Sequence, residues 1–229
     1  MSNASYFQFC PVAMAAEILC TRWTMVLVRE LVAGSTRFND IRRGVPRMSR
    51  TLLAQRLREL EAAGIVERHP VEGTQAVDYL LTDAGKDLLP LVEAFGIWGQ
   101  KWVESEPSLE RLDVSLLMWD MRRNLDPSPL PPGRTILNFH FPELAASKSS
   151  WWLIVEASGD VDLCQVDPGF DVDLFVTTDL RTMTEIWMGL TTVSKAARKL
   201  DLIGSRDVVA SMQKWLGLSP FAAEKKLAS

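Results

Sequence analysis

Residues 38–81 constrain this chain more than any other stretch, because they spell four elements in a fixed order. In Phe38-Asn39-Asp40-Ile41-Arg42-Arg43-Gly44-Val45 the apolar Phe38, Ile41 and Val45 fall at i, i+3 and i+7, the spacing of a short amphipathic helix. A short connection holding Pro46 follows, and then a strongly periodic helix from Ser49 to Ala63. Ser49 is suited to its N-cap, since the hydroxyl accepts from a free amide of the first turn, and Gly64 can take the left-handed backbone that closes it. Leu53, Leu57 and Leu60 make one apolar stripe along that helix. Two β-rich runs, Ile65–Pro70 and Ala76–Leu81, then flank a polar loop, Val71–Gln75. Helix, turn, helix, hairpin predicts a winged helix-turn-helix: all-α with a small β-wing, its second helix offered to the DNA major groove.

At 100° per residue, Thr51, Gln55 and Arg58 project opposite the leucine stripe, with Arg50 and Ala54 on one shoulder. These side chains suit base edges: Arg pairs with guanine, Gln with adenine, and Thr or Ala touches the thymine methyl. Ser49, Arg37, Arg47 and the wing residues Gly73 and Thr74 complete the expected DNA-facing set, with Arg47, Arg50 and the wing near Thr74 on phosphates. An ordinary solvated helix face is the alternative, and the neighbouring turn and wing argue against it. Charge agrees locally although the whole chain carries a formal −4. Residues 20–70 hold ten Arg, no Lys and five acids, a local +5, whereas residues 106–229 hold 13 basic and 17 acidic residues. Phosphate contacts respond to the local field.

The stretch from Cys10 to Val103 also resembles a known family, the HxlR-type winged-helix regulators of bacteria. The resemblance is carried by Cys10-Pro11, Arg22-Trp23-Thr24, Arg29-Glu30-Leu31 and Arg37-Phe38-Asn39-Asp40-Ile41. It continues through Gln55-Arg56-Leu57-Arg58-Glu59-Leu60-Glu61, Gly64-Ile65-Val66-Glu67-Arg68, Tyr79-Leu80-Leu81-Thr82 with Gly85, and Trp98. It implies a homodimer on a near-palindromic double-stranded operator, beside a gene answering to a chemical stimulus; repression and activation stay equally open. In some members a cysteine placed like Cys10 senses oxidants or electrophiles. Around Cys10, however, Phe7, Phe9 and Val12 are apolar, which disfavours the thiolate, so a packed thiol is the competing reading. Cys20 and Cys164 are expected in cores, and three unpaired cysteines suggest neither a disulfide framework nor zinc.

At 229 residues the chain has room for two domains, expected at 1–105 and 106–229. Residues 11–33 form one or two helices, with Thr21 as a cap before Trp23–Ala33. Thr82 is expected to cap a long helix from Asp83 to about Glu104, kinked at Pro90. Its stripe (Leu88, Leu91, Val92, Phe95, Trp98, Trp102) exceeds what a winged unit can cover. Phe95, Trp98 and Trp102 are therefore assigned to dimerisation, with packing on the chain's own second domain as the alternative. No run of eighteen apolar residues and no leader pattern occur, so a cytoplasmic protein without membrane contact is expected. Ser2-Asn3-Ala4 reads as an expression scar.

After a linker at Ser105–Glu110 the grammar changes. A helix (Leu112–Leu125), a proline-rich bend (127–133) and four β-type runs follow: Arg134–Phe141, Trp151–Ser158, Asp160–Val166 and Val172–Thr178. Helices come next at Leu180–Leu190, Ser194–Lys199 and Asp207–Leu216, which predicts an α+β domain with a mainly antiparallel sheet and helices on one face. This half resembles the sterol-carrier-protein-like fold through Ile136-Leu137-Asn138-Phe139-His140-Phe141, Trp151-Trp152-Leu153-Ile154-Val155, Gly159-Asp160-Val161-Asp162-Leu163, Asp171-Val172-Asp173-Leu174 with Thr177-Thr178, Met183-Thr184-Glu185-Ile186-Trp187-Met188-Gly189-Leu190 and Leu202-Ile203-Gly204. That implies a tunnel for an apolar small-molecule effector. Trp119, Phe139, Phe141, Trp152, Phe175, Met183, Trp187 and Met188 are the expected lining, against the plainer reading that they form a core. Catalysis finds no support: His69 and His140 make no metal-spaced pair, and there is no phosphate-binding Gly loop or nucleophile elbow. No cofactor or metal is expected.

Overall fold

The computed structural model describes residues 5–228, so Ser2-Asn3-Ala4 lies outside the described residues. The chain divides into two compact units, Met1–Gly96 and Ile97–Ser229. Helices α1 (Pro11–Leu19), α2 (Thr24–Val32), α3 (Phe38–Gly44) and α4 (Arg50–Ala62) precede strands β1 (Val66–Pro70) and β2 (Val77–Leu81), followed by α5 (Asp83–Lys86) and α6 (Leu89–Trp102). Helix α2 does not start from Thr21. Trp23 stands at its N-cap in left-handed backbone, φ 78°, with no side-chain cap.

Helix α4 is built as its sequence dictates. The Ser49 hydroxyl accepts from the Leu52 amide at 3.2 Å, and Gly64 closes the other end at φ +69°. There the Ile65 amide reaches the Leu60 carbonyl at 2.9 Å and the Gly64 amide the Glu61 carbonyl at 3.0 Å, the paired bonds of a Schellman closure. Leu53, Leu57 and Leu60 are fully buried against Leu27, Val28, Ile41, Val45, Ile65 and Val66, a burial of about 1.5–3 kcal/mol per side chain. The wing strands pair antiparallel from Val66↔Leu81 to Pro70↔Val77.

The long helix expected after Thr82 is broken rather than kinked. Thr82 does cap α5, its hydroxyl accepting from Gly85 at 3.1 Å, but Asp87 and Leu88 separate α5 from α6. Pro90 has no N–H to donate and its ring would strike the carbonyl four residues back. It sits instead in the first turn of α6, where neither matters.

The second unit contains α7 (Glu106–Leu109), α8 (Val114–Asn124), β3 (Thr135–His140), β4 (Ser150–Val155), β5 (Val161–Cys164) and β6 (Leu174–Thr177). Then come α9 (Leu180–Trp187), a 3-10 turn (Ala197–Lys199), β7 (Asp201–Gly204), α10 (Arg206–Ala210) and α11 (Met212–Trp215). The sheet order is β5-β4-β3-β6-β7; β3 and β6 run parallel and the other pairs antiparallel. Leu137, Phe139, Leu153, Leu174 and Val176 share a core with Leu117, Met118 and Met121 of α8, Leu180 and Met183 of α9, and Met212 and Trp215 of α11. Besides the fifth strand β7, which no expected β-type run covers, three details depart from expectation. The linker forms a helical turn, the 194–199 helix shrinks to its 3-10 turn, and 207–216 breaks at Ser211 into α10 and α11.

The residues expected to line one tunnel do not converge. Phe139, Phe141 and Met183 are completely buried members of the core. Successive strand residues point to opposite faces, so Trp152 and Phe175, each between two buried neighbours, lie on the other side of the sheet; Phe175 is 44% exposed. Trp119 is covered on α8 by the guanidinium groups of Arg122 and Arg123, at 4.8 and 5.7 Å from its ring centroid. Trp187 and Met188 are half-buried at the C-terminal end of α9, where the Met188 carbonyl accepts from Gln100 of α6 at 3.2 Å. The C-terminal residues fasten the same end of α6: Glu224 pairs with Lys101 at 2.9 Å and the Leu227 amide donates to the Lys101 carbonyl at 2.8 Å.

Candidate nucleic-acid interface

Burial of the leucine stripe leaves Ser49, Arg50, Thr51 and Arg58 exposed along α4, preceded by exposed Arg47, with Ala54 half-buried on the shoulder. Gln55 is turned away from this row. Its carboxamide donates to Glu59 at 2.9 Å, and Glu59 is also bonded by Arg56, whose Nε donates to the Arg22 carbonyl at 3.3 Å. Burial pushes the Glu59 carboxyl up, but hydrogen bonds from Gln55 and Arg56 and the charges of Arg56 and Arg58 outweigh it, holding the group below the usual carboxylate range. Glu59 thus stays ionised beside the basic row and tethers Gln55.

Two residues of the expected DNA-facing set are engaged within the protein. Arg37 pairs with Asp78 of β2 at 2.6 Å, and Thr36 donates to the same carboxylate at 3.1 Å. This pins the segment before α3 to the wing, which the adjacent Tyr79 amide reinforces by donating to the Thr36 carbonyl at 2.9 Å. The Thr74 hydroxyl donates to the Val71 carbonyl and accepts from the Ala76 amide, both at 3.1 Å. With Gly73 at φ +73° it shapes the wing tip. Between α3 and β2 lies an open cleft of about 680 Å³ whose walls include Arg37, Asn39, Arg43, Gln75 and Tyr79.

Other exposed positions are apolar. Helix α1 buries none of its residues. Phe9 before it is 99% exposed, and Phe95, Trp98 and Trp102 on α6 are 63%, 61% and 55% exposed. Sequence periodicity identified the α6 stripe but not the aromatic arm Tyr6, Phe7 and Phe9, which belongs to no helix. Cys10 is exposed as the N-cap of α1. Cys20, expected in a core, is exposed at the C-cap of α1, and Cys164 is only partly covered at the end of β5.

A leucine-anchored second helix with an exposed basic row, followed by a wing, defines a DNA-binding transcriptional regulator of the winged-helix type. The model of the HxlR-like helix-turn-helix family matches residues 18–107. The uncharacterized HTH-type transcriptional regulator YvaP of Bacillus subtilis (strain 168) is 36% identical over 99 residues, 42% of this chain and 92% of that protein. The HTH-type transcriptional regulator YodB of the same organism is 34% identical over 97 residues, 42% of this chain and 87% of its own length. A solved structure of the redox regulator HypR in its reduced form is 33% identical, covering 44% of this chain and 98% of that one, with a TM-score of 0.39. The chain belongs to the HxlR-like helix-turn-helix family.

Proposed function

We propose that the protein is a homodimeric regulator reading a two-fold operator through α4 and answering to an apolar small molecule held by its C-terminal half. The observation that carries the DNA reading is the exposed row Arg47, Arg50, Thr51 and Arg58, set opposite a fully buried leucine stripe. Thr51, Ala54 and Arg58 meet base edges, Gln55 joins them when released from Glu59, and Arg47, Arg50 and the Gly73–Thr74 wing tip follow phosphates. The dimer forms on α1, its aromatic arm and the α6 stripe, where several large apolar side chains lie open to water. The working place of such a protein is the cytoplasm.

For the effector, the reading starts from the sterol-carrier-like resemblance of this half. The interior is rich in Met118, Met121, Met183 and Met212, side chains that re-pack readily around a guest. Trp187 and Met188 stand at its edge, and the buried Trp187 indole N–H has no acceptor among the described residues, which leaves it for a guest's polar head. The bond from Gln100 to Met188 links that place to α6.

Selection of duplexes from a random library tests the DNA reading. The expected product is a two-fold site with half-sites about one helical turn apart, bound by two chains; an asymmetric site bound by one chain would exclude it. A second reading is favoured by the exposure of Cys10 beside the aromatic arm: a thiol switch, with the C-terminal half as scaffold. Cys10→Ser separates the two, leaving an effector response intact and abolishing an oxidant response.

A further inference from the structure

A cavity of about 540 Å³ lies within the first unit between α1, the turn before α2 and the flank of α4. That volume is typical of small-molecule sites, roughly 300–1,000 Å³, and one wall is the reading helix itself. We propose that this cavity is a second effector site, for a small organic cation on a compact apolar body, and that its occupation releases Gln55 for base reading. The regulatory half rests on α4 being the reading helix; the binding half does not.

The lining selects the ligand class. Glu17 of α1 and Glu59 of α4 face the space from different helices, with Thr21 at the rim. Among the described residues of the lining the one cation is Arg56, already spent on Glu59 and the Arg22 carbonyl. Glu17 is only half used: its Oε1 accepts from the Ser5 hydroxyl and the Tyr6 amide, both at 2.7 Å, and its Oε2 has no partner among the described residues. An anion would meet two carboxylates. An ammonium or amidinium, with several N–H groups, gains charge-assisted bonds to Glu17 and to Glu59 together, while Ile18 supplies an apolar wall for its body.

The coupling follows from Gln55. Reading adenine takes both ends of a carboxamide, and here the Nε2 end is held by Glu59 at 2.9 Å. A cation bonded to Glu59 competes for the oxygen that Gln55 uses and sets the amide free. Ligand and DNA must then strengthen each other by the same factor.

Calorimetric titration of the full chain with benzamidine, and with neutral benzamide as its isostere, tests the site without DNA. We expect one benzamidine per chain, held at least about tenfold more tightly than benzamide. Glu17→Gln keeps the shape of the side chain, and Thr21→Arg places a competing cation at an exposed rim position; each should weaken benzamidine about tenfold or more while the melting temperature stays put. Equal binding of the two compounds, or full binding by both variants, overturns the site. With a library-selected duplex, benzamidine should raise the affinity of the wild type about fivefold or more, and that of Gln55→Ala not at all; an equal rise in both, or none in the wild type, overturns the coupling. Failure to select any duplex would sink the reading-helix assignment, while the calorimetric titration would still decide whether the cavity binds the cation.

Discussion

Arg58 and Arg47 look alike in composition and differ in where α4 puts them. Arg58 lies on the face opposite the leucines, and Arg47 lies before the helix begins. Arg58→Ala should cost about 1–3 kcal/mol at one base pair per half-site and relax specificity there. Arg47→Ala should weaken all duplexes alike and lower the salt slope by about one. Equal losses on selected and random DNA for Arg58→Ala would show the reading face to be misplaced. Gly44 carries a different constraint. Glu30 is fully buried beneath α3, and Arg29 bonds both its carboxylate and the Gly44 carbonyl, the latter at 3.0 Å. A Cβ on Gly44 would stand 1.8 Å from that carboxylate. Gly44→Ala should therefore destabilise the first unit by about 1–3 kcal/mol or more, read as a lowered denaturation midpoint; an unchanged midpoint would mean that Glu30 moves freely.

Among the elements, α9 shows how one cap ties stability to pH. Asp179 accepts from the Thr182 amide and hydroxyl, both at 2.7 Å. Burial raises its pKa, but those bonds and the charge of Lys199 outweigh it and hold the carboxyl below its ordinary value. A depressed folded pKa gives stability that is present above the unfolded value, near pH 4, and is lost as pH falls through the lower folded one. Asp179→Ala should cost about 1 kcal/mol at neutral pH. Asp179→Asn keeps a capping oxygen and should flatten the acid limb of the melting curve; a limb as steep as the wild type's would assign that loss to other carboxylates. If the proposed dimer forms on the α6 stripe, this helix decides assembly. A charge at a solvated position costs little, whereas at a contact between chains it is buried unpaired. Trp98→Asp should thus leave the monomer folded and shift sedimentation from dimer to monomer. A variant that remains dimeric would move the interface elsewhere.

At the scale of the whole molecule, the formal −4 hides a basic stretch at residues 20–70 and an acidic second half. Non-specific DNA binding of the intact chain should be weak and steeply salt-dependent. If an apolar guest controls the operator, it must bind the two states of the protein unequally, since equal affinity shifts nothing. A coupling of about 1–3 kcal/mol would change operator affinity about 5- to 150-fold, and DNA must change guest affinity by the same factor. Titrating palmitate, a sterol and an aromatic acid with and without operator, followed by tryptophan emission, checks this. If no compound moves both equilibria, the C-terminal half is a scaffold.

The sequence by itself determined what depends on neighbours along the chain. Ser49, Gly64 and the spacing of Leu53, Leu57 and Leu60 set the ends and buried side of α4, and Phe95, Trp98 and Trp102 identified an open stripe, because both follow from a period of 3.6 residues. Period-2 alternation likewise separates Trp152 from Trp151, and Phe175 from its neighbours, so the expected tunnel lining drew on both faces of the sheet. Only tertiary structure decided the rest. Arg37 is taken up by Asp78, 41 residues away, Arg56 reaches Arg22, and Glu17 comes to face Glu59 across a cavity. The short β7, mostly exposed, finds its place only because β6 offers an edge to pair with. Periodicity reports which side of an element is buried; which charges meet depends on how separate elements pack, and no local pattern carries that information.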